Sequence, residues 1–412
     1  MKRLKYACYS ANISMAIVGN LSPVLFLTFH TVYGVSYSLL GTLVLINFVT
    51  QLGIDLIFSF FSHKFNIPKV VKTTPLLTIL GLAVYALFPV FLPKLAYLGL
   101  VIGTVIFSAS SGLAEVLISP VIASIPSDDP DREMSKLHSI YAWGVVFVIV
   151  VSTIFLLITK GAYWFVLPLF FLLVPLLCFI LFAGADVPKM ETPEKVSGAL
   201  DLLKNSGVWA CVIAIFLGGA AECTMAQWSS GYLEQALGIP KVWGDLFGVA
   251  FFSVMLGLGR TLYSKIGKNI GRVIFLGAIG ATVCYLLAAV SGSAIVGLCA
   301  CAFTGFCVSM LWPGNLIIAS ERFPTGGVFI FAMMASGGDL GASVGPQLVG
   351  IVTDAVIANP FFSDIALNLS LSPEQLGMKL GVLIGMLFPL AGIPLYLHLW
   401  KGKKKQTHKK EA

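Results

Sequence analysis

Residues Gly207 to Tyr232 read GVWACVIAIFLGGAAECTMAQWSSGY, a run apolar and long enough to cross a bilayer, whose hydrocarbon core takes about 20 residues of helix. One carboxylate, Glu222, lies inside it. An acid at the centre of a membrane helix costs about 2.5–3.5 kcal/mol on the mildest scales, so its side chain is expected to face protein or a watery cavity. Beyond it Thr224, Gln227, Trp228, Gly231 and Tyr232 recur at i, i+3, i+4, i+7 and i+8, one helical stripe of hydrogen-bonding and aromatic groups. An ideal helix puts Glu222 roughly 190° from the middle of that stripe. The two share a face only if the helix breaks, and Gly218, Gly219 and Gly231 supply places for a break. Such a stripe suits a sugar-sized ligand; the plainer alternative seats Trp228 and Tyr232 in the aromatic belt at the membrane surface.

Working outward, the same character fills the chain. Of 412 residues 58% are hydrophobic and 11% charged, and the mean hydropathy is +0.93, which excludes an ordinary soluble domain. Apolar stretches of spanning length recur at about 8–32, 37–61, 71–91, 97–125, 136–159, 162–184, 207–235, 242–263, 273–291, 294–320, 328–357 and 375–400. They predict an all-α membrane protein of twelve transmembrane helices in two pseudo-symmetric six-helix lobes. The lobes are residues 1–185 and 207–400, joined by a polar linker at 186–206 and followed by a basic tail at 401–412.

With both termini in the cytosol, 22 of the 26 Lys and Arg fall on the cytoplasmic side, leaving Lys94, Lys160, Lys241 and Lys379 outside. The positive-inside rule fixes that orientation in a cell membrane. A net charge of +7 would point to nucleic acid in a soluble protein; spread over loops it reads as topology, with the bilayer as the partner and no nucleic acid expected. MKRLKY opens like a signal peptide, but no small-residue cleavage site follows, so the first apolar run is read as a retained helix. The eight cysteines show no CxxC pair and are read as core residues; no metal or cofactor is expected.

The halves repeat. Asn66-Ile-Pro-Lys-Val-Val71 matches Asn269-Ile-Gly-Arg-Val-Ile274, and Gly112 and Pro120 stand eight apart, as do Gly305 and Pro313. Six helices per repeat puts both copies on the same side of the membrane, a parallel pseudo-symmetry of the kind that lets two lobes rock about a central site. No G-x-x-x-x-G-K-[ST] sequence is present to harness ATP, so an ion or solute gradient is the expected energy source. Gly341-Ala-Ser-Val-Gly345 fits the G-x-S-x-G nucleophile pattern but lies inside an apolar helix rather than a strand-to-helix turn, and no enzyme is expected.

At this point the chain resembles a major facilitator superfamily transporter. GGAAECTMAQWSSGY is similar to the seventh-helix pattern of its fucose/galactose:proton symporter family, and Gly259-Arg260 and FTGFCVSMLWPGNLIIASERFP fit the eighth and tenth helices. SGLAEVLISPVIASIP resembles the family's fourth helix, whose Glu, matching Glu115, the resemblance links with proton coupling; LHSIYAWG, with His138 and Gly144, resembles its fifth. The chain departs at Pro23, where the family carries a first-helix acid after an Asn matching Asn20, at Ser119, and at Ser62-His63-Lys64, where a gating Asp and Arg are usual. The resemblance implies a monomeric symporter moving a small solute together with protons.

The candidate proton-coupling residues are Glu115, Glu222 and Asp339, each an acid within an apolar helix; a buried polar contact between helices is the competing reading for each. Candidate solute contacts are Asn20, Thr224, Gln227, Trp228, Tyr232, Asn315, and Trp312 as an apolar platform for a sugar's CH face. Asp55, with Asn47 and Gln51 two and one turns before it, reads as an inter-lobe hydrogen-bond partner. Asp245, Asp354 and Arg260 lie toward helix ends and read as interfacial ion-pairing groups, and His30 and His138 as interfacial histidines.

Overall fold

In a computed structural model, residues 2–35, 37–188, 201–240 and 243–411 are described. Most of the expected linker lies outside that set, as do the side chains of His30, Asp245 and residues 402–412. The described residues are helical with no strand, and eleven of their helices are long and apolar enough to cross a membrane. By contacts the chain divides into two compact units, Met1–Lys204 with Phe323–Ser336, and Asn205–Arg322 with Gly337–Ala412.

The first unit holds α1 (Lys2–Tyr33), α2 (Tyr37–Phe61), α3 (Ile67–Phe91), α4 (Ala96–Ala123), α5 (Pro130–Thr159) and α6 (Val166–Phe171, resuming as Leu173–Ala183). Then come α7 (Ser206–Leu237), α8 (a π-helical turn Gly244–Ala250 leading into Phe251–Ile266), α9 (Ile270–Val290) and α10 (Ala294–Val308, resuming as Leu311–Arg322). Last are α11 (Gly327–Ala358), the short α12 (Pro360–Asn368) and α13 (Pro373–Gly385, resuming as Leu387–Glu411). Hydropathy did not anticipate α12, although Asn359 caps it and Pro360 opens it. It packs Ile365 and Ala366 beneath α11 and the start of α13. Hydropathy also began α3, α5 and α9 late, because their first turns are polar capping sequence.

Among the described residues three helices are broken, and each break has the same cause. A proline has no N–H and its ring crowds the carbonyl one turn back. Accordingly α6 is interrupted at Leu172 before Pro175, α10 at Ser309 and Met310 before Pro313, and α13 at Met386 before Pro389. α7, by contrast, runs unbroken from Ser206 to Leu237 through Gly218, Gly219 and Gly231. Its end is set by Gly238 at φ +66°, where the N–H groups of Gly238 and Ile239 close onto the Glu234 and Leu233 carbonyls.

The sequence repeat does matching physical work in both halves. Asn66 and Asn269 are the N-caps of α3 and α9, accepting from the Lys69 and Arg272 N–H groups at 3.1 and 3.3 Å. Gly112 brings α4 against α2, where an added Cβ would sit 3.1 Å from the Gln51 Cα, and Gly305 brings α10 against α8, 2.3 Å from the Phe252 carbonyl oxygen. Tyr85 of α3 shares a 2.8 Å hydrogen bond with Ser22 of α1, and Tyr285 of α9 donates to the Ala221 carbonyl of α7 at 2.7 Å.

The two caps differ in one respect that can be tested. Asn66 has an ordinary φ of −79° whereas Asn269 is left-handed at +58°. Loss of a cap costs about 1 kcal/mol, and forcing alanine into the left-handed region adds roughly 1–2 kcal/mol. Asn269→Ala should therefore lower the thermal midpoint in detergent more than Asn66→Ala, with Asn269→Gly recovering part of the difference.

Candidate functional site

The first unit buries an unusually polar set of side chains for hydrocarbon. Ser108 of α4 donates to the Asn47 Oδ1 of α2 at 2.6 Å, and Asp55, one turn beyond Gln51 on α2, is completely buried. Thr78 of α3 and Ser110 of α4 share a 2.6 Å bond, and Ser110 also donates to the Thr74 carbonyl at 2.8 Å. Each such pair satisfies groups that lipid cannot. Glu115 follows on α4, one turn past the glycine contact with α2, in a stretch otherwise closed by Ala114 and Val116; its own side chain is half-buried. Asn20 is half-buried on α1, its amide donating to the Ala16 carbonyl at 2.9 Å. Gly144 of α5 seats against Ala16 and Ile13 of α1, and Asn12 ties α1 to the Leu137 carbonyl at 3.0 Å.

The second unit is organised around a charge pair. Arg260 of α8 reaches both carboxylate oxygens of Glu222 on α7, at 2.8 and 2.9 Å, and its Nε donates to the Ser309 carbonyl of α10 at 2.9 Å. That carbonyl is the one Pro313 cannot serve. Gly259 permits the approach, since a Cβ there would lie 2.2 Å from the Ser309 Oγ. Arg260 is thus no interfacial cation: it is 2% exposed, because α8 continues to Ile266 and carries it inside the lobe.

The stripe on α7 separates into two groups. Thr224 and Tyr232 belong to the interior packing of the lobe: Thr224 lies under Gly345 of α11, and the Tyr232 hydroxyl donates to the Ala288 carbonyl of α9. Both are buried. A 3.6-residue period identifies a face without saying whether helix or cavity covers it. Gln227 is exposed, and Trp228 is half-buried with its indole N–H on the Pro346 carbonyl of α11 at 2.9 Å. Because α7 is unbroken, Glu222 stays on a different face from these two.

On α10, Asn315 is buried and donates to the Leu311 carbonyl at 2.6 Å, and the half-buried ring of Trp312 is wedged against Gly219 of α7 and Gly338 of α11. Asp339 is 5% exposed on α11 between glycines that hold this helix on α7: a Cβ on Gly341 would lie 2.1 Å from the Phe216 carbonyl oxygen. The glycines are therefore packing residues, as small residues in membrane helices generally are.

A family model described as Major Facilitator Superfamily matches residues 7–346. The chain belongs to the Major Facilitator Superfamily. Solved members share its fold across nearly the whole length. The E. coli fucose:proton symporter FucP, in its outward conformation, superposes with a TM-score of 0.73 at 15% identity, covering 94% of this chain and 98% of that one. The proton:xylose symporter XylE gives 0.75 at 15% identity, covering 97% and 95%, and the human organic anion transporter MFSD10 gives 0.69 at 11%, covering 96% and 99%. No curated protein sequence matches the chain. At these identities the likeness shows the fold alone; it is the family match over residues 7–346 that makes the chain a multi-pass membrane transporter rather than an enzyme.

Two features of this superfamily member were missed in the sequence. Lys379, expected outside, is 9% exposed on α13 and donates to the Ala289 and Ser291 carbonyls at the end of α9, where a cation offsets the helix dipole. Tyr396 of α13 donates to the Ala214 carbonyl of α7 at 2.8 Å. A lysine inside an apolar stretch of spanning length was the available signal for the first; nothing in the sequence marks the second.

Proposed function

We propose that the protein is a secondary active symporter of the cell membrane, with both termini cytoplasmic, that takes up a sugar or similar polyhydroxylated solute with protons by alternating access. One observation carries the proton assignment. Glu222 is already neutralised by Arg260 at 2.8 Å, and protonating it would strand a buried guanidinium, a loss of about 3–5 kcal/mol for a broken buried pair. Glu115 and Asp339 are the other two candidates for the exchanging proton, and Glu115 is the first choice because it matches the coupling acid of the family that the fourth helix resembles. Asn20, Gln227, Trp228 and Trp312 are the proposed solute contacts, hydroxyl partners beside aromatic platforms, whereas Asn315, like Thr224 and Tyr232, is buried. The sugar:proton symporters among the proteins that share the fold support the solute class. Monomeric function and the lobes 1–185 and 207–400 belong to the same reading.

Pro23, exposed on α1 where the family carries an acid, favours a second reading, export of an apolar compound. Counterflow in proteoliposomes across a panel of monosaccharides, with and without an imposed pH gradient, separates the two. Exchange of at least one sugar, driven uphill by an acidic exterior, is the expected result. Counterflow of no sugar together with extrusion of a lipophilic dye would overturn it.

A further inference from the structure

We propose that Arg260 is a positioning residue of the transport cycle, tying the carboxylate of Glu222 to the break in α10 so that engagement of Glu222 by solute loosens that break. The inference rests on the transport reading above. α10 stops at Val308 and resumes at Leu311, and Pro313 leaves the Ser309 carbonyl without its helical donor. A break of that kind is a hinge unless something else occupies the carbonyl.

Arg260 occupies it. Its Nε lies 2.9 Å from the Ser309 oxygen while its Nη2 holds both oxygens of Glu222. One planar guanidinium, which a lysine cannot imitate at two points, therefore fixes α7, α8 and α10 together. The two ends of the pair are unequally covered: the Arg260 side chain is 3% exposed and that of Glu222 is 12%. The carboxylate is the more open end, and it is the further solute contact in this proposal, on a face of α7 other than that of Gln227 and Trp228. A donor that takes one carboxylate oxygen leaves the buried guanidinium with fewer partners, and its relief is to shift, which withdraws Nε from Ser309 and frees the hinge. Solute binding on α7 is thereby converted into motion of α10 with no change of protonation.

The native thiol of Cys307, half-buried and two residues before Ser309, reports on the break. The experiment uses the full chain with its other seven cysteines replaced by serine or alanine, and N-ethylmaleimide as the only probe. Arg260→Lys keeps the charge but not the fork; Glu222→Gln with Arg260→Met removes both charges, a change that buried pairs tolerate better than loss of one partner. Either variant should alkylate Cys307 about tenfold faster than the parent without solute, since residues along a coupled network move an equilibrium by about 0.5–2 kcal/mol. Where a transported sugar is known, Arg260→Lys should lower counterflow about tenfold with binding affinity nearly kept, a split that mere misfolding does not produce. If one variant is lost to misfolding, the other decides. Parental alkylation rates in a folded variant would overturn the proposal, whereas absence of sugar counterflow in the parent would overturn only the transport reading.

Discussion

Glu115→Gln is expected to abolish gradient-driven accumulation while leaving solute binding and exchange in place. Gln keeps nearly the same volume and imitates the protonated acid, so the lobes can still change places with solute aboard, but no proton is carried. A pH difference of one unit is worth about 1.4 kcal/mol, which at one proton per solute supports about tenfold accumulation. In the variant the accumulation ratio should fall to about one, measured by labelled uptake into proteoliposomes. Glu222→Gln should behave differently. It leaves Arg260, 2% exposed, without its counter-charge, and both binding and exchange should fall. Asp339→Asn is the remaining arm: if it alone abolishes accumulation, the proton belongs to α11. Uphill uptake that survives in Glu115→Gln would end the assignment to α4.

The elements of this fold were legible because a membrane helix announces itself by length and hydropathy, and α2 was bounded at Tyr37 and Phe61 as expected. The Asn66 and Asn269 repeat was legible for a related reason: a cap is a local device, made of residues three apart. The charge pair was not. Glu222 and Arg260 are 38 residues apart on different helices, and no period or spacing links them. What could have been read is that Gly259 beside Arg260 marks a close helix approach, and that Pro313 leaves a carbonyl in need of a donor. The α7 stripe shows the opposite failure. Thr224, Trp228 and Tyr232 fall on one face as their spacing requires, yet Tyr232 is spent on Ala288 and Trp228 on Pro346, because buried polar tips must bond something and helix carbonyls are at hand.

Gly341→Ala should be the most damaging single methyl in the second unit. An added Cβ would meet the Phe216 carbonyl oxygen at 2.1 Å, the Phe216 carbonyl carbon at 2.9 Å and the Ala220 nitrogen at 3.0 Å, all backbone atoms of α7. Backbone cannot swing aside as a side chain can, so the two helices must part. Overpacking of this kind costs about 1–3 kcal/mol, set against the roughly 1 kcal/mol that alanine gains over glycine in a helix. Gly231→Ala is the matched control, because its nearest neighbour is the flexible end of Met378 at 3.7 Å; there the propensity gain stands alone. Thermal unfolding in detergent should place Gly341→Ala below the parent and Gly231→Ala at or above it. Asp339 lies two residues from Gly341 on the same helix, so parting α7 from α11 also displaces that acid. Transport by Gly341→Ala should fall further than its stability alone accounts for, even at temperatures where the variant stays folded. A Gly341→Ala protein that melts with the parent would mean that α7 and α11 do not touch through their backbones.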